Sequence, residues 1–242
     1  MKRILINIDC GEGFGIYKNP NEEVLIKNSD LINVACGFHA GDPDKMREVV
    51  ELAKKYRVLV GAHPSYLDLT GFGRRSMKLS YREIENIIIY QIGALSGFLK
   101  AEGLNLNHVK PHGALYNDSI KDEKIAEAIG SGVMLFDKRL KMIGLSNSKQ
   151  VKIWKNMGLE VLNEVFIDRE YNDDGTLLPR TNPNAVITDL IKIENRVKLL
   201  AKEGKIITIS DKSLKVDCDT ICIHSDTPDS EKIHNVVKNI LF

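Results

Sequence analysis

INVACGFH (residues 32–39), VLVGAH (58–63), LNHVKPH (106–112) and TICIH (220–224) are four short apolar runs that each end in histidine. Runs of this length, rich in β-branched residues and bounded by glycine or proline, read as buried strands. Longer helical patterns separate them, and that alternation is the signature of parallel βα units. Helix starts are marked by Asp42-Pro43, Asn182-Pro183 and Thr227-Pro228, where a capping side chain precedes proline. Ser80 and Glu83 form a capping box that opens a helix to about Ala101. A further helix is expected from Pro183 to about Lys202, ending at Gly204. Additional strands are expected over residues 140–145, 159–166 and 205–209. The expected fold is therefore α/β, a (β/α) barrel of seven or eight units, with residues 1–242 as a single β/α-barrel domain.

Side chains alternate faces along a strand, so parity separates a helix-facing side from a barrel-facing side. In the first strand Ile4, Ile6 and Ile8 share one face, while Asn7 and Asp9 share the other. Asn33 falls on one parity with His39, and His108, Lys110 and His112 alternate with Val109 and Pro111. His224 and Asp226 alternate with Ile221 and Ile223. A single histidine at a strand end is readily a core or capping residue. Here five of the six histidines fall at such ends, which points to one shared site at the rim where the loops converge. The sixth, His234, lies on a terminal helix and is expected on its surface.

Charged residues make up 28% of the chain and the formal net charge is +1, so no global field favours nucleic acid or a membrane surface. No stretch approaches the ~20 apolar residues of a membrane span. The apolar residues that follow the basic start are interrupted by Asp9 and Glu12, so a signal peptide is not expected and the protein is read as cytoplasmic. Cys10, Cys36, Cys218 and Cys222 form no CxxC pair and are expected as free thiols.

The chemistry-bearing segments follow the strands. Asp9-Cys10-Gly11-Glu12-Gly13-Phe14-Gly15 could bring backbone amides to an anion, but it lacks the dinucleotide fingerprint, and no GxxxxGK[ST] loop occurs. Asp42, next to His39-Ala-Gly, reads as a cap. Arg74 and Arg75 follow Gly71-Phe72-Gly73 and offer forks for a carboxylate or phosphate. Lys110 and His112 place a cation and an imidazole on one face, and Asp168, Arg169 and Arg180 form a charged excursion.

These motifs carry a resemblance. Asn7-Ile-Asp9-Cys-Gly11-Glu12-Gly13, Asn33-Val-Ala-Cys36-Gly37-Phe38-His39-Ala-Gly41-Asp42, Gly61-Ala-His63-Pro64-Ser65, Gly71-Phe-Gly73-Arg74, Val109-Lys110-Pro111-His112-Gly113-Ala-Leu-Tyr116-Asn117, Glu164-Val-Phe-Ile-Asp168-Arg169 and Cys222-Ile-His224 closely resemble the LamB/YcsF family across essentially the whole chain. The resemblance implies a seven-stranded, deacetylase-like barrel. It also implies the A subunit of an ATP-dependent 5-oxoprolinase, which opens the lactam of 5-oxoproline to L-glutamate together with B and C subunits. ATP with Mg2+ is expected at the level of that complex. Two residues depart from the family pattern: Leu5 stands where the first motif usually begins with aspartate, and Ser225 replaces the glycine of C-x-H-G-D.

On this reading Asp9, His39, His63, Lys110 and His112 are the candidate catalytic residues. Asn7, Glu12, Arg74, Asp168, Arg169, Arg180 and His224 are the candidates for binding substrate. Asp9 with His63 or His112 would serve as base and acid, Lys110 would stabilise negative charge, and Arg74 or Arg180 would hold the carboxylate. An additional divalent metal is left open, with Asp9, His39, His63 and His112 as candidate ligands. Two rival readings are a stand-alone metal-dependent amidohydrolase or deacetylase and a non-catalytic subunit that presents substrate.

Overall fold

The strands expected before the histidines close on themselves. A computed structural model describes residues 3–17 and 19–242; Met1 and Lys2, at the basic start, lie outside it together with Lys18. The elements in chain order are β1 (Leu5–Cys10), α1 (Glu22–Lys27), β2 (Leu31–Ala35), α2 (Pro43–Tyr56), β3 (Leu59–His63), α3 (Tyr81–Ala101), β4 (His108–Val109), α4 (Gly113–Lys121), α5 (Glu123–Asp137), β5 (Lys141–Leu145), α6 (Lys149–Asn156), β6 (Val161–Phe166), α7 (Leu190–Glu203), β7 (Lys205–Ile207), β8 (Ser213–Lys215), β9 (Thr220–Ile223) and α8 (Ser230–Leu241). β1, β2, β3, β4, β5, β6 and β9 form a closed barrel of parallel strands, with β9 returning to β1. Among the described residues no helix is long and apolar enough to cross a membrane.

The capping signals set the helices that matter most for the site. Asp42 accepts the Lys45 amide at 2.8 Å with Pro43 in the first turn, so α2 starts where the sequence indicates. At α3 the Ser80–Glu83 box is reciprocal, and Ile84, Ile88, Ile92, Leu95 and Leu99 bury one face of the helix. Two other starts differ from expectation. Asn182-Pro183 caps only a turn, because Ala185 and Ile187 pair with Glu170 and Asp168 and draw the chain away from a helix. α7 therefore begins after Asp189, whose carboxylate accepts the Ile191 and Lys192 amides. Thr227 does not cap α8 with its side chain; its hydroxyl donates to Asp168 at 2.8 Å.

Residues 205–209 also leave the barrel. Their strand part, β7, folds back on β8 as a two-stranded antiparallel ribbon, and β9 takes the remaining barrel position. Seven strands is thus the barrel's number, as the resemblance implies. β4 is only two residues long in ladder terms because Pro111 has no amide hydrogen. Lys110 and His112 nonetheless donate their amides to Ala62 and Pro64, so this segment keeps the direction of a strand up to the rim.

His234 is not on the surface. It is 1% exposed, on the buried side of α8 with Ile233 and Val237, and its Nε2 lies 3.3 Å from the Ser29 hydroxyl. Burial, assisted by Lys238, lowers its pKa to about 4. The unfolded chain takes up a proton near 6.5 that the folded chain refuses, so stability falls as pH drops from about 6.5 to about 4. His234→Leu is expected to remove as much as ~3 kcal/mol of that acid-side loss. Denaturant midpoints across the window measure this, and an unchanged pH slope in the variant would contradict it.

Candidate active site

Every strand end that the parity pattern singles out reaches the same end of the barrel. Its interior is polar. Asn33 Nδ2 donates to Asn7 and Asp9, at 2.8 and 2.9 Å, and His108 Nε2 stands 2.9 Å from Asn33 Oδ1. His108 fits because its register partner is Gly61, where a Cβ would collide with the imidazole. Burial and the nearby Lys110 lower the His108 pKa to about 3, so the ring is neutral. Asn7 is fully buried and also donates to Thr220, which places it in the barrel floor, off the cavity wall.

Above this floor sits a buried ion pair. Lys110 Nζ lies 3.0 Å from Asp9 Oδ1 and 2.9 Å from Glu164 Oε1, and Tyr116 donates to the other Glu164 oxygen. Burial alone would raise the Asp9 pKa, but His63 and Lys110 outweigh it and hold the carboxyl well below its ordinary value. Burial would likewise deprotonate Lys110, and Asp9, with Cys222 and Glu164, reverses that and keeps it an ammonium. With Oδ1 taken by Lys110 and Asn33, the Asp9 Oδ2 is turned toward His63, 3.4 Å from its Nε2.

Beside Asp9, three imidazoles meet Glu12. His39 stacks on His112 with ring centroids 3.7 Å apart, and His63 meets both rings edge-on. Glu12 Oε1 is 3.1 Å from His39 Nε2 and 3.6 Å from His112 Nδ1. His63 Nε2 and His112 Nδ1 are 3.0 Å apart. One ligand atom from each of these four residues lies within 4.8 Å of the others, so the group close enough to share an ion comprises Glu12 and the three imidazoles, with Asp9 outside it. Burial and neighbouring imidazoles push the His39 and His112 pKa values well down, and burial with the Asp9 charge raises that of Glu12 to about 8. A second trio, Asp9, Cys222 and His224, is also close enough to share an ion.

Glycine makes the arrangement possible at one decisive place. Gly73 has φ +64°, and a Cβ there would stand 2.8 Å from both His112 and His39 and 2.6 Å from the Ser65 hydroxyl. Its carbonyl accepts the Ala114 amide, tying the loop after β3 to the start of α4. Gly73→Ala is expected to displace the stacked pair and lower activity by at least ~10-fold, since a shift of about 1 Å at a reacting centre can cost about 100-fold. Steady-state assay beside a thermal melt tests it; full activity would show that the stack tolerates displacement.

Asp9, Glu12, His63, Lys110, His112, Arg74, Arg169, Arg180 and His224 all line one cavity of about 520 Å³. That volume is ordinary for a small-molecule site. Arg74 and Arg180 stand at Asp226, 2.5 and 3.7 Å from its oxygens. Three candidates are not at the cavity wall. His39 is behind His112, Asn7 is in the floor, and Asp168 is fully buried behind His224. Asp168 accepts from the His224 ring and backbone at 2.9 and 3.1 Å; burial opposes its charge, but His224 prevails and holds it at about 2. Other expected contacts are used internally. Gly11 and Gly15 donate their amides to Glu22 and Asp42, so these two amides already hold carboxylates of the chain itself. Arg75 is held by Asp68 and Thr70, so of this adjacent pair it is Arg74 that faces the cavity.

Asn33, His108, Glu164, Tyr116, Phe166 and Asp226 complete the site although they were not among the candidates. Glu164 had a signal, a lone carboxylate within an apolar strand, as did Asn33 through its parity. Phe166 stacks on His224 and lies under Lys110, with 5.3 Å from Nζ to its centroid, a contact that pattern alone does not disclose.

The model of the "LamB/YcsF family" matches residues 4–241. A Pyrococcus abyssi protein, named as the A subunit of 5-oxoprolinase, is 50% identical over 239 residues, covering 99% of this chain and 94% of that protein. A Campylobacter jejuni protein of the same name is 47% identical over 226 residues, covering 93% and 89%. A crystal structure described as a lactam utilization protein from Thermus thermophilus superposes with a TM-score of 0.92 at 41% identity, covering 100% of this chain and 96% of that one.

Proposed function

Since the chain belongs to the LamB/YcsF family, we propose that it is the A subunit of an ATP-dependent 5-oxoprolinase and that its cavity is where the lactam is opened. The observation that carries this reading is the buried Asp9–Lys110 pair at the base of a cavity whose wall bears Arg74 and Arg180. 5-Oxoproline offers matching groups, a carboxylate for an arginine fork and a neutral cyclic amide for the floor.

A lactam carbonyl is a poor electrophile, which is why the reaction needs ATP. Phosphoryl transfer to the amide oxygen, supplied with Mg2+ through the B and C subunits, makes the ring carbon open to water. Asp9 takes a proton from that water and returns one to the ring nitrogen as the C–N bond breaks. The acyl phosphate left behind reacts with a second water to give the carboxylate of L-glutamate and phosphate. Lys110 stabilises the negative charge that develops on the carbonyl side, and the Arg74–Asp226–Arg180 cluster exchanges its internal carboxylate for that of the substrate.

Partner dependence follows from the absence of a Walker loop or dinucleotide fingerprint in the sequence. The purified chain with ATP and 5-oxoproline is expected to form no glutamate, with turnover appearing when B and C subunits are added. A coupled glutamate assay decides it: robust ATP-dependent turnover by this polypeptide alone would overturn the partner dependence. Substrate binding with no effect of Asp9→Asn on the complete enzyme would instead identify a presenting subunit.

A further inference from the structure

Two backbone carbonyls determine where the protons of two imidazoles sit. His63 Nδ1 is 2.7 Å from the Lys110 carbonyl, and His112 Nε2 is 2.9 Å from the Phe72 carbonyl. A carbonyl oxygen only accepts, so each of those nitrogens carries hydrogen. The opposite nitrogens, His63 Nε2 and His112 Nδ1, are left to face each other at 3.0 Å, and each has a lone pair for an ion once it carries no proton. Glu12 Oε1 stands against the same point, 3.6 Å from His112 Nδ1 and 3.1 Å from His39 Nε2, and offers a ligand oxygen once its carboxyl is ionised. His39 Nδ1 is buried with no hydrogen-bond partner among the described residues, so its Nε2 can also present a lone pair. Lone pairs converging in a buried site repel one another unless a positive centre lies between them.

We propose that Glu12, His39, His63 and His112 form a binding site for one divalent transition-metal ion. Three imidazole nitrogens and one carboxylate oxygen suit Zn2+ or Co2+ better than Mg2+, which prefers oxygen alone. Ligand nitrogens about 2.0–2.1 Å from one ion can stand about 3 Å apart, so the His63–His112 spacing needs little change. The carbonyls of Lys110 and Phe72 act as outer partners that orient their rings, the usual arrangement for metal-bound histidine. Asp9 stands beside this cluster and not in it: Lys110 and Asn33 hold its Oδ1, and its Oδ2 is 3.4 Å from His63 Nε2. The inference concerns binding by this chain and is independent of the lactam reading.

Metal binding is measured on the full chain after dialysis against a chelator, with Zn2+ by calorimetry and Co2+ by visible absorption. One equivalent of each is expected to bind, with no competition from a large excess of Mg2+. The Co2+ spectrum should show ligand-field bands without thiolate charge transfer. Glu12→Gln and His112→Gln should each weaken Zn2+ binding at least ~10-fold, whereas Cys222→Ser should leave it unchanged. Failure of the chelator-treated protein to bind either ion saturably would overturn the proposal, as would full affinity in both ligand variants. A thiolate band on Co2+, which needs no variant to fold, would assign the ion to the Asp9, Cys222 and His224 trio and overturn it equally.

Discussion

Asp9→Asn is expected to lower glutamate formation by the reconstituted enzyme at least ~100-fold, the usual scale for loss of a general base. The substitution keeps the shape of the side chain and an oxygen for Asn33, so the fold should survive. What it removes is the ionised Oδ2 beside His63, at the base of the cavity. His112→Gln should cost as much, because it removes the ring that stacks on His39 and meets both His63 and Glu12. Turnover is compared at saturating substrate, with circular dichroism and a thermal melt confirming that both variants fold. Near-normal turnover in the two of them would remove the proposed mechanism.

Lys110→Met is expected to have the largest effect on stability, about 3–5 kcal/mol. The ammonium is 3% exposed and pairs with both Asp9 and Glu164, so its loss leaves both acidic side chains in the barrel without their cation. A second substitution, Glu164→Gln in the same chain, should recover part of the loss by removing one of those acidic groups. Without Lys110 the depressed Asp9 pKa should rise. In the native chain its contribution is complete above the ~3.9 of an unfolded aspartate, and it is lost as pH falls through the lower folded value. Urea midpoints supply the comparison. A loss below ~1 kcal/mol, the range of exposed pairs, would mean that water or a rearranged partner replaces the ammonium.

Strand parity made most of the cavity legible. Asp9, His63, Lys110 and His112 are close in sequence to strand ends, and a strand's twofold repeat dictates which of its side chains enter the barrel. The same rule covers Asn33 and Glu164, which went unselected only because a buried amide or carboxylate has no chemical motif of its own. The parity reading ran on from Asn33 to His39, but β2 ends at Ala35, so a loop and not the alternation places His39, as it does Glu12. It also misplaced His234, because one polar residue on an amphipathic helix is compatible with either face until a neighbour such as Ser29 is known.

The amino-acid sequence by itself determined the parallel βα plan, the helix starts at Asp42 and Ser80, and the family, since each depends on neighbouring residues or on motifs of fixed spacing. It also carried the separation of apolar outer faces from polar inner ones. Only the tertiary structure decided that residues 205–209 leave the barrel and that Asn182-Pro183 ends in a turn, because pairing with distant backbone outweighed a local capping preference. Only the tertiary structure decided which carboxylate joins the three imidazoles. Asp9 and Glu12 are three residues apart and chemically alike. Lys110 claims the first from across the barrel, and the stacked His39 and His112 meet the second, so the division of roles rests on contacts that no local pattern contains.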